Sequence, residues 1–315
     1  MNKVSIAMTT YNGGKYLREQ LESLYSQTRV PDEVIVCDDN SMDNTIEILE
    51  EYKQRKGLIY YVNNPGLGVN KNFEKAIRLC TGDYIAICDQ DDVWMPQKIE
   101  ISLKKLQEIE ANGIPACVSS RCHDMDANGN IKLRSKISDT YGYAATIADF
   151  DCKSQGCSLM MNRLLIEKLK HFPEKEPLYD VYIGIVAAYI GEKYNLGIPL
   201  MYYRHHANNV IAKSKKENSL YTKMINRLLK WKYARLIPSG RLMTFKKVFS
   251  EYKTEPNNHA YIFMNRAILY GTSSFIKRNT ILWNMNEYSS LNKAVCFLED
   301  LITLPLFFLN KKNVK

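Results

Sequence analysis

The chain has 315 residues, 45% of them hydrophobic and 24% charged, enough for a sizeable core and too apolar for wholesale disorder; with fifteen glycines and ten prolines it is not collagenous or low-complexity either. Its net charge of +9 is unevenly spread: residues 1–210 hold 24 Lys and Arg against 28 Asp and Glu, whereas residues 211–315 hold 19 against 6. That split excludes a uniformly basic polyanion-binding body and predicts a near-neutral domain with a basic appendage that meets something acidic.

Val4 to Met8 is a short apolar run that ends in Thr9-Thr10-Tyr11-Asn12-Gly13-Gly14, a turn signal, after which Leu17, Leu21, Leu24 and Tyr25 recur at helical spacing. This strand, loop and helix repeat with Glu33 to Cys37, the polar loop Asp38 to Asp43, and Ile46, Leu49 and Tyr52 on a helix. A third unit runs from Leu58 to Val62 through Asn64-Pro65-Gly66 to Phe73, Ala76 and Ile77. A fourth runs from Asp83 to Cys88 through Asp89-Gln90-Asp91-Asp92 to a helix opened near Pro96. Such alternation predicts an α/β domain with a mostly parallel sheet flanked by helices, whose ligand site lies in the loops after the strands' carboxyl ends.

Beyond residue 110 the pattern loosens into short strands at Ala116 to Cys122 and Cys157 to Met161, and Val181 to Ile190 reads as a buried helix. Lys213-Ser214-Lys215-Lys216 marks a boundary, and residues 220–250 mix Leu, Ile and Trp with Lys and Arg as a basic amphipathic helix does. The expected organisation is a catalytic domain over 1–210, divided near 110, and a mainly helical region over 211–315. The eight cysteines form no Cys-x-x-Cys pair, which predicts buried thiols in a reducing compartment. The amino terminus enters a strand without the apolar stretch of a secretory signal, and no window reaches the ~18 apolar residues of a spanning helix. A cytoplasmic protein is expected, peripheral at most on a membrane.

Asp89, Asp91 and Asp92 repel one another unless a cation or solvent neutralises them, and hard divalent cations favour carboxylate oxygen. Taken alone, such a run is more often a solvated acidic loop. The stretches Val4 to Asn12, Val36 to Asp43 and Thr81 to Trp94, in that order and spacing, closely resemble the signature segments of family-2 glycosyltransferases with the GT-A fold. The block Tyr179 to Tyr182 with Pro199 to Asn209 resembles bacterial rhamnosyltransferase-like members that build surface polysaccharides. The resemblance covers about residues 1–210.

The resemblance implies transfer of a sugar from a nucleoside diphosphate to a hydroxyl of a growing, lipid-linked or polysaccharide acceptor, assisted by Mg2+ or Mn2+. It implies Thr9 and Tyr11 at the nucleobase, Asp39 accepting from a pyrimidine N–H, and Asp38 as structural. Asp91 matches the metal ligand, Asp89 and Gln90 the ribose or metal-water side, and Asp180 the general base of an inverting displacement. Tyr179 and Val181 depart from the commoner flanks of that acid, which bears on acceptor contacts. Arg204 and His206 are expected at the diphosphate and the metal, or as a hydrogen-bonded pair that pins their segment. Trp94 and Gly156 are expected at the acceptor, with core packing and a plain turn as their ordinary alternatives.

Asp124-x-Asp126-x-Asn128-Gly129 copies the start of a calcium loop, but Ser135 stands where a bidentate Glu is needed, so a hairpin turn is expected. Asp39-x-Ser41-x-Asp43 reaches Glu50 at the twelfth position but has Asn44 in place of glycine, and the alternating fold explains it. Two other functions compete with transfer: a silent partner subunit, against which the intact acids speak, and nucleic-acid binding by the basic tail, which no recognised motif supports. The tail suits an anionic membrane surface; a helical cap or homodimer interface is the alternative.

Overall fold

The computed structural model describes residues 2–133, 142–143, 155–174, 178–207, 239–252 and 265. By internal packing the chain divides into two units, residues 1–144 with 148–206, and residues 145–147 with 207–315. In the second unit the described residues form one helix, Ser239–Glu251, with Phe245 and Val248 buried. The basic stretch at 220–238, the apolar run Leu301 to Leu309, Cys152 and Cys296 lie outside the described residues. Among the described residues no helix is long and apolar enough to cross a membrane.

The first unit opens with β1 (Val4–Thr10), α1 (Gly14–Tyr25), β2 (Glu33–Asp38), α2 (Thr45–Lys56), β3 (Ile59–Val62), α3 (Val69–Leu79) and β4 (Tyr84–Cys88). A two-residue strand β5 (Val93–Trp94) leads to α4 (Lys98–Glu110). Each helix forms for the reason its spacing predicts: Leu17, Leu21 and Leu24 line one face of α1, and Ile48, Leu49 and Tyr52 one face of α2, all buried. Each such side chain contributes ~1.5–3 kcal/mol by leaving water. Helix α2 ends where its apolar pattern ends, with Gly57 in the left-handed region at φ 70° and its N–H bonded to the Lys53 carbonyl.

There follow β6 (Ala116–Asp126), β7 (Ile131–Lys132), β8 (Gly142–Tyr143), a short 3-10 turn at Gly156–Ser158, β9 (Leu159–Asn162), α5 (Arg163–Lys168), α6 (Tyr179–Ile190) and β10 (Glu192–His205). The sheet runs β3-β2-β1-β4-β9-β6-β10-β5. The first four strands are parallel, β9 is antiparallel to both β4 and β6, and β10 runs parallel to β6. The expected α/β sheet is present, mixed where β9 reverses direction. The calcium-loop lookalike is the expected hairpin: Asp124 pairs with Lys132, and Asp126 Oδ1 accepts the N–H groups of Asn128 and Asn130 at 2.8 and 3.0 Å.

From β1 the chain moves outward to β2 and β3, then returns to place β4 on the other side of β1. The crevice between the carboxyl ends of β1 and β4 is therefore a topological switch point, where open α/β sheets bind ligands. Its two rims are Tyr11-Asn12-Gly13 and Asp89-Gln90-Asp91-Asp92.

Candidate active site

The switch-point rims are fastened together. Tyr11 N–H donates to Gln90 Oε1 at 2.8 Å, and Gln90 Nε2 donates back to the Tyr11 carbonyl at 3.1 Å. Gly13 sits so close that a Cβ there would lie 2.1 Å from Gln90 Oε1. Gln90 thus braces the two loops, while the Tyr11 ring stays 57% exposed beside the crevice. Thr9, half-buried, is the next-to-last residue of β1, paired with Cys37.

The β2 loop divides its two acids as expected for Asp38. That carboxylate is fully buried and accepts from Thr10 Oγ1 at 2.6 Å and from Ser41 N–H and Oγ at 2.8 and 2.6 Å. Asp39 turns to the loop before α3, accepting from Leu67 N–H at 2.6 Å, Gly68 N–H at 2.9 Å and Asn63 Nδ2 at 3.1 Å. Two backbone donors hold its carboxylate in one orientation. A carboxylate has about four lone-pair sites, so one remains for a further donor.

Around the β4 loop four carboxylates converge. Burial first, then the charges of Asp91 and Asp180, push Asp89 up to about 7, against hydrogen bonds from Cys157 and Tyr179. Burial, Asp91 and Asp89 push Asp92 well above its ordinary value, and its Oδ2 is buried without a hydrogen-bond acceptor or donor of ordinary geometry. Asp180, in the first turn of α6, is raised by burial against the N–H groups of Val181 and Gly156 and the Lys193 charge. So much negative charge in so little space is stable only with a proton or a cation among the carboxylates.

Strand β10 delivers the basic partners. Arg204 N–H donates to Asp92 Oδ1 at 3.0 Å, its Nε to the Asp91 carbonyl at 2.8 Å, and its Nη2 to Glu19 at 2.6 Å. The guanidinium is 4.6 Å above the Tyr16 ring and its side chain is 2% exposed. These bonds tie the Arg204 side chain to the β4 loop and to α1 and bring its charge to the site. His206 Nε2 lies 2.6 Å from Asp91 Oδ2, and its ring rests against Tyr16 with centroids 5.0 Å apart.

Two groups of atoms meet the requirements of a divalent cation differently. The ligand atoms of Asp89, Asp92 and Cys157 lie within 4.8 Å of one another. Asp92 is fully buried, however, and burial with the Asp92 and Asp89 charges holds the Cys157 thiol well above its ordinary pKa, so it offers a protonated sulfur that hard cations bind poorly. Asp91 Oδ2 and His206 Nε2, 2.6 Å apart, need to part by a few tenths of an ångström to reach the ~3.0 Å that separates adjacent ligands in an octahedron with arms of about 2.1 Å. Both side chains keep about an eighth of their surface open.

Two expectations for the acceptor are corrected. Trp94 is 3% exposed and belongs to the core, with Lys98 Nζ 4.1 Å from its ring, because β5 pairs with β10 through Met201 and draws the indole inward. The space that Gly156 leaves is filled by the Tyr179 hydroxyl, 2.1 Å from where a Cβ would stand. Cys157 and Glu19 join the site with no signal in the sequence, since each acts through contacts across 60 or more residues. Asp92 was legible as a member of the acidic run, its burial was not.

This curled, mixed sheet with its switch-point crevice is the GT-A-like architecture. It matches Staphylococcus aureus TarS 1-349 in complex with UDP-GlcNAc with a TM-score of 0.59 at 16% identity, covering 93% of this chain and 83% of that one. It also matches the mannosyltransferase PcManGT of Pyrobaculum calidifontis in complex with GDP-Man and Mn2+, with a TM-score of 0.54 at 17% identity over 96% and 81% of the two chains. In sequence, residues 5–169 match Glycosyl transferase family 2. The dTDP-rhamnosyl transferase RfbG of Shigella flexneri is 30% identical over 225 residues, 65% of this chain and 73% of that one. The chain belongs to glycosyl transferase family 2. Its curated relatives differ in length: the chain spans 18% of one, 64% of another and 83% of a third.

Proposed function

We propose that the protein is an inverting glycosyltransferase that moves a hexosyl or deoxyhexosyl group from a nucleoside-diphosphate sugar to a hydroxyl of a growing bacterial surface glycan. The observation that carries this reading is the convergence of Asp89, Asp91, Asp180 and His206 beside the switch-point crevice. Tyr11 offers its exposed ring to the nucleobase beside Thr9, and Asp39 its remaining lone pair to a ring N–H. Asp91 and His206 would hold Mg2+ or Mn2+, with Asp89 and its neighbour Gln90 on the ribose and metal-water side; the cation would stabilise the charge that grows on the departing diphosphate. Arg204 adds fixed positive charge behind the same loop.

Asp180 acts as general base. As the acceptor oxygen bonds to the anomeric carbon, the bond from that carbon to the diphosphate oxygen breaks, and the hydroxyl proton passes to the Asp180 carboxylate. Attack opposite the leaving group inverts the anomeric centre. The N–H groups of Val181 and Gly156 hold the carboxylate in place. A donor at the cytoplasmic face and a lipid-linked acceptor fit the basic residues 211–315, each worth ~1 kcal/mol near an anionic surface.

Thermal unfolding against UDP-glucose, UDP-N-acetylglucosamine, dTDP-rhamnose and GDP-mannose, each with and without Mn2+, tests the reading, since a ligand that binds the native state raises its apparent stability. One of them is expected to stabilise the protein with metal present and not in the Asp91→Asn variant. Equal stabilisation of both proteins without metal contradicts the metal assignment.

A further inference from the structure

We infer that Lys75 is a positioning residue that sets which nucleobase Asp39 accepts, acting through the Asn63 amide; the inference rests on the assignment of Asp39 to a ring N–H above. Asn63 follows β3 directly, and its N–H donates to the Asp38 carbonyl at 2.8 Å, which lays its side chain beside Asp39. Lys75 and Asn72 stand three residues apart on α3 and meet that side chain from the helix. Lys75 Nζ donates to Asn63 Oδ1 at 2.6 Å, and Asn63 Nδ2 donates to Asn72 Oδ1 at 2.8 Å and to Asp39 Oδ1 at 3.1 Å. Asn72 Nδ2 donates in turn to the Cys37 carbonyl at 2.9 Å.

Chemistry fixes the direction of this chain of bonds at both ends. An ammonium has only donors and a backbone carbonyl is only an acceptor, so Lys75 meets the amide oxygen of Asn63, and Cys37 the amide nitrogen of Asn72. The Asn63 nitrogen therefore faces Asp39. Together with Leu67 N–H at 2.6 Å it fills both lone-pair sites of Asp39 Oδ1, whereas Oδ2 accepts only the Gly68 N–H, at 2.9 Å. The open site belongs to Oδ2, and it is an acceptor. It suits the N3–H of uracil or thymine and the N1–H of guanine, and it opposes the ring nitrogen acceptors of cytosine and adenine. Asn63 is 4% exposed, so its amide oxygen depends on the Lys75 ammonium for a partner. Without that ammonium the amide turns to find a donor, and its nitrogen leaves Asp39.

Lys75→Met removes the ammonium and keeps most of the stem, and Lys75→Arg keeps a cation that can only donate. Wild type, both variants and Asp39→Asn are titrated calorimetrically, in the presence of Mn2+, with UDP against CDP and with GDP against ADP. Within each pair the ribose and diphosphate are the same, and only the first base carries a ring N–H. The wild type is expected to favour the first member of one pair by about tenfold or more, since a site built to accept rejects an acceptor. Lys75→Met lowers that preference by about fivefold or more, through the favoured nucleotide alone, and its melting temperature moves by only a few degrees. Lys75→Arg keeps most of the preference. A preference in Lys75→Met within about twofold of wild type, with Asp39→Asn losing it, overturns this inference and leaves the Asp39 assignment standing. An equal loss of affinity for both members of the pair overturns it too, assigning Lys75 to the diphosphate or to the fold. A preference undiminished in Asp39→Asn, or lacking in the wild type, overturns the Asp39 assignment and this inference together.

Discussion

Replacing Arg204 by methionine separates a pin from a diphosphate ligand. Methionine fills much of the same volume but leaves the Asp91 carbonyl without the 2.8 Å donor and Glu19 without its 2.6 Å partner. A buried carbonyl stripped of its donor costs ~1–3 kcal/mol. Glu19 is 55% exposed, so its ion pair is screened and contributes at most ~1 kcal/mol. Loss of the cation from above Tyr16 adds ~0.5–1 kcal/mol. The total of roughly 2–5 kcal/mol corresponds to a fall of about 5–15 °C in melting temperature for a domain of this size. Arg204→Lys keeps the charge and not the fork, and is expected to show more than half of that fall. Thermal and urea unfolding of the purified protein measure it, with UDP titrated in parallel. If both variants melt within about 2 °C of wild type and the defect is confined to UDP affinity, Arg204 is a ligand of the diphosphate and the pinning argument is refuted.

Two other residues give independent tests. Gly13→Ala places a methyl in the position of Gln90 Oε1 and breaks the brace from Tyr11 to Gln90; losing two hydrogen bonds of ~1 kcal/mol each is expected to lower UDP affinity several-fold in calorimetry, and unchanged affinity refutes the brace. Burial raises the pKa of Glu74, but Lys71, His171 and the Phe172 N–H outweigh it and hold Glu74 below its ordinary 4.5. The stability it confers is therefore complete above about pH 4.5 and lost as pH falls through the lower folded-state value. Glu74→Gln is expected to be less stable than wild type at pH 7, with the difference shrinking toward pH 3 in urea melts; a difference constant with pH contradicts this.

The amino-terminal half of the sheet was legible because its elements change period cleanly: Leu17, Leu21 and Leu24 cannot all be buried except on a helix, and Val34 to Cys37 only as a strand covered on both faces. The crowding of carboxylates after β4 was legible for the same reason, since a strand must end before an acidic loop begins. The reversal at β9 was not, because Leu159-Met160-Met161-Asn162 is buried throughout and an apolar run carries no direction. Trp94 misled because aromatic residues line both pockets and cores, and only the pairing of β5 with β10 decides which. The slot that Gly156 leaves for Tyr179 joins residues whose spacing says nothing about contact. The charge division sharpens in the same way: the excess of acid in residues 1–210 includes a cluster that needs a proton or a cation, whereas the excess of base lies after it.

The central assignment is that Asp180 takes the proton of the attacking hydroxyl. Its most direct test is turnover by Asp180→Asn of the nucleotide sugar that stabilises the wild type. The variant is expected to bind UDP and Mn2+ as the wild type does and to lose a factor of about 10²–10⁴ in kcat. Turnover at the wild-type rate contradicts the assignment.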